Sequence, residues 1–160
     1  MRTLPSPALA RLPTGGFSLI ELMIVVALFA LLAMIAVPAY QESVRKSRRA
    51  EAYNALAVLQ QSQERWRGNN PAYTTTLGDL GGQETTASGY YTVSLSAPSD
   101  ADGALATGYI ATATAVSGTS QASDSCARLS VRMLNGNLSY AGCASCESFT
   151  YTETSACWAR

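Results

Sequence analysis

The sequence predicts an α+β fold, in which one long N-terminal α-helix packs on a small, about four-stranded antiparallel sheet. Three observations carry this. An unbroken apolar run over residues 17–37 continues into a stretch with helical spacing up to residue 67. Four short segments with alternating polar and apolar residues follow it. Asn135-Gly136, a strong two-residue hairpin signal, separates the last two of these.

The first segment, residues 1–16 (MRTLPSPALARLPTGG), holds three prolines and ends in a glycine pair. Nothing in it sustains a helix or strand, and it reads as a leader outside the fold that is removed. Residues 17–37, FSLIELMIVVALFALLAMIAV, contain only Ser18 and Glu21 as polar members. As a helix they span roughly 31 Å, about the hydrocarbon thickness of a bilayer. A secretory signal core is shorter, about 7 to 15 residues, so this run reads as a retained membrane anchor.

Pro38 interrupts the apolar run and predicts a kink in the helix. Residues 38–67 form its amphipathic continuation. Tyr40, Val44, Ala52, Leu56, Leu59 and Trp66 recur at spacings of three, four or their multiples, and Glu42 to Lys46 is a well-oriented i,i+4 pair. Gly68, Asn69, Asn70 and Pro71 end the helix. Anchor and continuation together make about 50 residues, longer than any single globular core requires.

Residues 68–160 form the head. Residues 68–89, rich in Gly, Thr and Asn, read as a loop. Tyr91, Val93 and Leu95 alternate with Thr92, Ser94 and Ser96; Tyr109, Ala111, Ala113 and Ala115 alternate with Ile110, Thr112 and Thr114. Leu129, Val131 and Met133 alternate with Ser130 and Arg132, and Leu138 and Tyr140 make a short fourth run. Short connections imply antiparallel pairing, with one wet face and one packed on the Tyr53, Leu56, Leu59 and Trp66 stripe.

The 160 residues suffice for one core and a tail, and 11 basic residues balance 11 acidic ones. No global field therefore calls for an anionic partner. Four cysteines, Cys126, Cys143, Cys146 and Cys157, close the chain, and histidine is absent. An even number in a small domain suggests disulfides and an oxidising compartment. The Cys143-Ala-Ser-Cys146 spacing could serve redox or zinc chemistry. Without histidine or a second such pair, though, a metal site is poorly supplied. Asp100-Ala101-Asp102-Gly103 resembles the start of a calcium loop but lacks the later glutamate, and reads as a turn. No histidine base, glycine-rich phosphate loop or Gly-x-Ser-x-Gly elbow is present, so no enzyme and no cofactor is expected. Arg45, Lys46, Arg48 and Arg49 have three readings: snorkelling at the membrane face, salt bridges to neighbouring subunits, or DNA contact.

Gly16-Phe17-Ser18-Leu19-Ile20-Glu21, followed by 16 uncharged residues, resembles the processing and assembly signal of type IV pilin precursors. The likeness is close over the first third of the chain. The ending Cys157-Trp158, with Cys126 just before a strand, looks most like minor pilins of the PilE type. The resemblance implies cleavage between Gly16 and Phe17 by a prepilin peptidase, N-methylation of Phe17, and assembly into a filament through the helix. A carboxylate inside a bilayer costs a few kcal/mol even on lenient scales. In the family, the position of Glu21 is neutralised by the new amine of a neighbouring subunit's Phe17, which sets the register.

The family also implies insertion in the bacterial inner membrane with the head in the periplasm, followed by display on a cell-surface pilus. Counting positive charges gives the opposite orientation, since only Arg2 and Arg11 precede the anchor. Implied partners are other pilin subunits, the peptidase, the inner-membrane assembly platform and, before assembly, lipid. The implied function is a structural subunit, a minor pilin serving pilus biogenesis, adhesion, twitching motility or DNA uptake. A type II secretion pseudopilin and a DNA-binding competence pilin are the alternatives. The family pattern suggests Cys126–Cys157 and Cys143–Cys146 disulfides. Folding a hairpin about Asn135-Gly136 instead sets Cys126 opposite Ser145, near both Cys143 and Cys146. Two positions depart from the family: Thr14-Gly15 stand where a basic residue usually precedes the cleavage glycine, and Ala30 stands where many major pilins have glycine.

Overall fold

The computed structural model describes residues 16–99, 104–152 and 155–158. Residues 1–15 of the expected leader, and the expected turn at Asp100-Ala101-Asp102-Gly103, lie outside these. Internal contacts divide the chain into a unit ending at Ala39 and a second unit, Tyr40–Arg160.

The first unit holds the opening of helix α1, Leu19–Arg67. Ser18 caps it: the Glu21 backbone N–H donates to Ser18 Oγ at 3.2 Å, and Leu22 N–H reaches the Ser18 carbonyl at 3.2 Å. Every large apolar side chain from Phe17 to Val37 is exposed, and the stretch has the length and composition of a membrane span. Pro38 lies within α1 and does not end it. It lacks the N–H that would reach the fourth residue back, and neighbouring turns carry the helix through.

In the second unit the remainder of α1 buries Ala52, Leu56 and Leu59 against the sheet. Tyr40 does not join that stripe; its side chain is exposed. The segment read as a loop contains a short 3-10 turn, Leu77–Leu80, closed by Gly81 in the left-handed region. It also lays Thr85 against Thr92 at the sheet edge.

The sheet comprises β1 (Tyr91–Ser96), β2 (Gly108–Ala115), β3 (Arg128–Leu134) and β4 (Asn137–Cys143), in that order and all antiparallel. Asn135 (φ 50°) and Gly136 (φ 82°) form the tight β3–β4 turn with two positive φ angles, as that dipeptide favours. Tyr91, Val93, Tyr109, Ala111, Leu129 and Val131 point into the core with the helix residues. On the other face the register sets Thr92, Thr114 and Arg128 in one cross-strand row and Ser94, Thr112 and Ser130 in the next.

Two expectations are corrected here. β4 is not a short run over Leu138 and Tyr140 but extends to Cys143, because Ala141 and Gly142 continue the ladder opposite Ser130 and Leu129. The ladder ends at Arg128 opposite Cys143, so the continuation that would set Cys126 beside Ser145 does not form. Cys126 is bonded to Cys157, and Cys143 to Cys146. Gly142 makes the first of these possible. A Cβ there would stand 2.4 Å from the Cys157 Cβ and 2.9 Å from its sulfur.

Candidate functional site

In the first unit, Gly16, Phe17 and Glu21 surround the start of α1, and all three are exposed. Among the described residues, nothing lies within 4 Å of where a Cβ on Gly16 would be. Phe17 and Gly16 precede the helix in non-helical conformation, and Ser18 closes it one residue later. The candidate for cleavage is thus exposed backbone outside the helix, followed at once by the capped helix. Glu21 falls at the third helical position after its cap, where a carboxylate also meets the positive end of the helix dipole. Ser18 is a functional residue that sequence reasoning passed over. The signal was there, because Ser-x-x-Glu before an apolar run is a capping signature.

In the second unit three members of the basic cluster on α1, Arg45, Arg48 and Arg49, reach residues of the head, while Lys46 stays on the helix surface. Arg49 is buried and faces Asp124 with two nitrogens: Nε lies 2.6 Å from Oδ2, and Nη2 bonds Oδ1. Burial disfavours the ionised Asp124 carboxyl, but the Arg49 guanidinium outweighs it and holds the carboxyl below the usual range. The same hydrogen bond raises Arg49 above its ordinary value. Gln121, wholly buried, donates to Asp124 at 2.9 Å, to the Tyr91 hydroxyl at 2.7 Å and to the Arg45 carbonyl at 3.1 Å. Burial pushes the Tyr91 hydroxyl up to about 12. Arg48 donates to Ser120 Oγ at 2.5 Å and lies 4.3 Å from the Tyr90 ring centre. Lys46 pairs with Glu42 at 2.7 Å on the open helix surface.

The C-terminal cysteines hold a second cluster. Tyr53 donates its hydroxyl to the Cys157 carbonyl, and the Trp158 ring lies between Tyr53 and Tyr140 at 5.0 and 4.8 Å. The Trp158 indole N–H donates to the Ala141 carbonyl at 2.8 Å. The Cys126–Cys157 bond therefore ties α1, β4 and the chain end together. The Cys143–Cys146 pair closes a four-residue loop whose Cys146 carbonyl accepts a bond from Arg128.

Comparison with known proteins adds two family matches. Residues 38–130 match the family described as type IV minor pilin ComP, DNA uptake sequence receptor. Residues 13–37 match the prokaryotic N-terminal methylation motif. Among curated proteins, the fimbrial protein EcpC of Eikenella corrodens is 59% identical over 39 residues, 24% of this chain and 26% of that protein. A fimbrial protein of Moraxella nonliquefaciens is 38% identical over 74 residues, covering 46% and 44%. The type IV major alpha-pilin of Moraxella bovis is 52% identical over 43 residues, 27% of each. The chain thus spans between about a quarter and under half the length of these relatives.

Proposed function

We infer the function from one premise: the chain belongs to the type IV minor pilin family, whose description covers its residues 38–130. It is a structural subunit of a type IV pilus. Before assembly, residues 17–37 hold it in the inner membrane with the head in the periplasm, where its disulfides form. Prepilin peptidase removes residues 1–16 by cutting between Gly16 and Phe17, and the Phe17 amine is methylated. The helix bends at Pro38, the inner-membrane platform lifts the subunit out of lipid, and other pilin subunits cover its apolar surface.

One observation supports this above the rest. The exposed apolar stretch of α1 carries a single charged side chain, Glu21, at its opening. A lone carboxylate in that setting needs a counter-charge, and cleavage before Phe17 makes an ammonium four residues away in sequence, which another copy can present. The pair fixes axial register more than it adds stability. The test is mass spectrometry of the envelope form with and without prepilin peptidase. Phe17 as a methylated N-terminus is expected only with the enzyme; an intact precursor in its presence refutes the reading.

A second layer concerns DNA. The matched family's description names a DNA uptake sequence receptor, and from this we take DNA as the head's ligand during uptake. The pilin relatives and the disulfide-bonded head favour a pilus over a secretion pseudopilus. Titration of labelled duplex DNA with the full-length protein in zwitterionic detergent tests the DNA layer. Salt-sensitive binding at micromolar protein is expected, and none at any salt removes it.

A further inference from the structure

We propose that the Cys143–Cys146 disulfide is a site of thiol–disulfide exchange, opened by a dithiol reductant to loosen residues 144–150 on the outer face of the sheet. The proposal goes beyond the assembly and DNA readings and rests on neither. The two disulfides of the head sit in opposite environments. Cys126 and Cys157 are 4% and 7% exposed and belong to the core; Gly142 packs on Cys157, and Tyr53 bonds its carbonyl. Cys143 and Cys146 are half-buried, and Ala144, Ser145, Glu147 and Ser148 around them are exposed. Exchange requires a thiolate to reach a disulfide sulfur, so access selects the second bond.

The turn that carries this bond gives its two sulfurs different roles. Cys143 is the last residue of β4, and the Cys146 backbone N–H donates to its Sγ at 3.2 Å. Arg128 stands opposite Cys143 in the ladder and bonds the Cys146 carbonyl. A hydrogen-bond donor and a neighbouring guanidinium favour a thiolate at Cys143, which makes it the better leaving group. Glu147, the only acidic residue between 144 and 150, is exposed, where water and salt screen its charge. The incoming thiolate therefore attacks Cys146 Sγ, the sulfur–sulfur bond breaks, and Cys143 leaves with the electron pair. The second thiolate of the reductant then attacks the reductant's own sulfur in the mixed disulfide and releases Cys146. Two electrons pass to the cysteine pair, the two thiolates take protons from water, and the reductant departs as a disulfide.

Opening the bond acts on the segment that follows it. From Cys146 the chain crosses the outer face of the sheet, with Phe149 4.9 Å from the Arg128 guanidinium and Tyr151 4.4 Å from that of Arg132. Its far end is fastened independently of the cysteines. The Tyr151 hydroxyl lies 2.9 Å from Ser130 Oγ, and Tyr140 and Thr152 exchange backbone bonds of 2.9 and 3.0 Å. Its near end is fastened to β4 by the disulfide and to β3 through Arg128. Breaking the covalent tie leaves exposed residues held by one side-chain bond and one ring contact, the kind of segment that opens locally while a sheet stays folded.

The experiment treats full-length wild-type protein in zwitterionic detergent with dithiothreitol, quenches with N-ethylmaleimide at intervals, and maps the modified cysteines by peptide mass spectrometry. Cys143 and Cys146 are expected to be alkylated together while Cys126–Cys157 stays intact. Brief exposure to reduced glutathione, quenched in the same way, should place the tripeptide on Cys146 and N-ethylmaleimide on Cys143. Hydrogen exchange of the selectively reduced protein should quicken over residues 144–150 and leave β3 and β4 protected. Cys143→Ser/Cys146→Ser should show that same exchange pattern without reductant. Opening of Cys126–Cys157 first or at an equal rate overturns the proposal. So does glutathione on Cys143, or exchange over 144–150 that reduction leaves unchanged.

Discussion

Arg49 of α1 and Asp124, 75 residues away, form a buried two-point ion pair with Nε 2.6 Å from Oδ2. The pair anchors the helix to the segment leading into β3, and Gln121 bonds the carboxylate from its other side. Removing one partner strands the other charge out of water. Asp124→Asn is therefore expected to cost about 3–5 kcal/mol at pH 7, read by urea denaturation of the detergent-solubilised protein.

The same pair gives the head an acid limit. The Asp124 carboxyl titrates below its ordinary value in the folded state, so its contribution is present above the unfolded carboxyl's pKa of about 3.9 and is lost as pH falls through the lower folded value. Wild-type stability should fall on acidification below about pH 4. The gap between wild type and Asp124→Asn should narrow there, measured by the same denaturation at pH 7 and pH 3.

The two disulfides should differ in weight. Cys126–Cys157 spans 31 positions and Cys143–Cys146 only 3. On loop-closure entropy, replacing the first pair by alanine costs roughly 3 to 4 kcal/mol and the second about 2. Paired melting curves of the two double variants check the order.

Gly142→Ala should destabilise although alanine suits a strand well enough, because the added methyl enters the space of Cys157. An overpacking cost of about 1–3 kcal/mol is expected. The same substitution in a Cys126→Ala/Cys157→Gly background should cost less, since both the Cβ and the sulfur that obstruct it are gone. Equal costs in both backgrounds would contradict the contact.

Gly136→Ala should cost about 1–2 kcal/mol, because Gly136 adopts φ 82° in the β3–β4 turn. Urea denaturation again reads it.

The helix and the four strands were legible because their signals are local. Period-two alternation marked Tyr91, Tyr109 and Leu129 as inward-facing, and Asn135-Gly136 marked the turn. β4 was read short because Ala141, Gly142 and Cys143 show no alternation; their place comes from hydrogen bonds to β3 and from the disulfide packed on Gly142. Of the basic cluster only Lys46 was legible, in its i,i+4 pair with Glu42. Arg49 and Arg48 find their partners more than 70 residues away, and no spacing rule reaches that far. For the same reason no sequence window unites Arg128 and Arg132 with Phe149 and Tyr151. The N-terminal signal, by contrast, is compact and was read from Gly16 to Glu21, with only the Ser18 cap passed over.

Everything proposed for assembly turns on Glu21. The most direct measurement is the amount of Glu21→Leu protein in sheared filaments, relative to its level in the membrane, in cells with functional prepilin peptidase and the other pilin subunits. The expected result is a membrane pool like that of the wild type and loss of the variant from the filament fraction. Incorporation at the wild-type level would contradict assembly through a neutralised carboxylate.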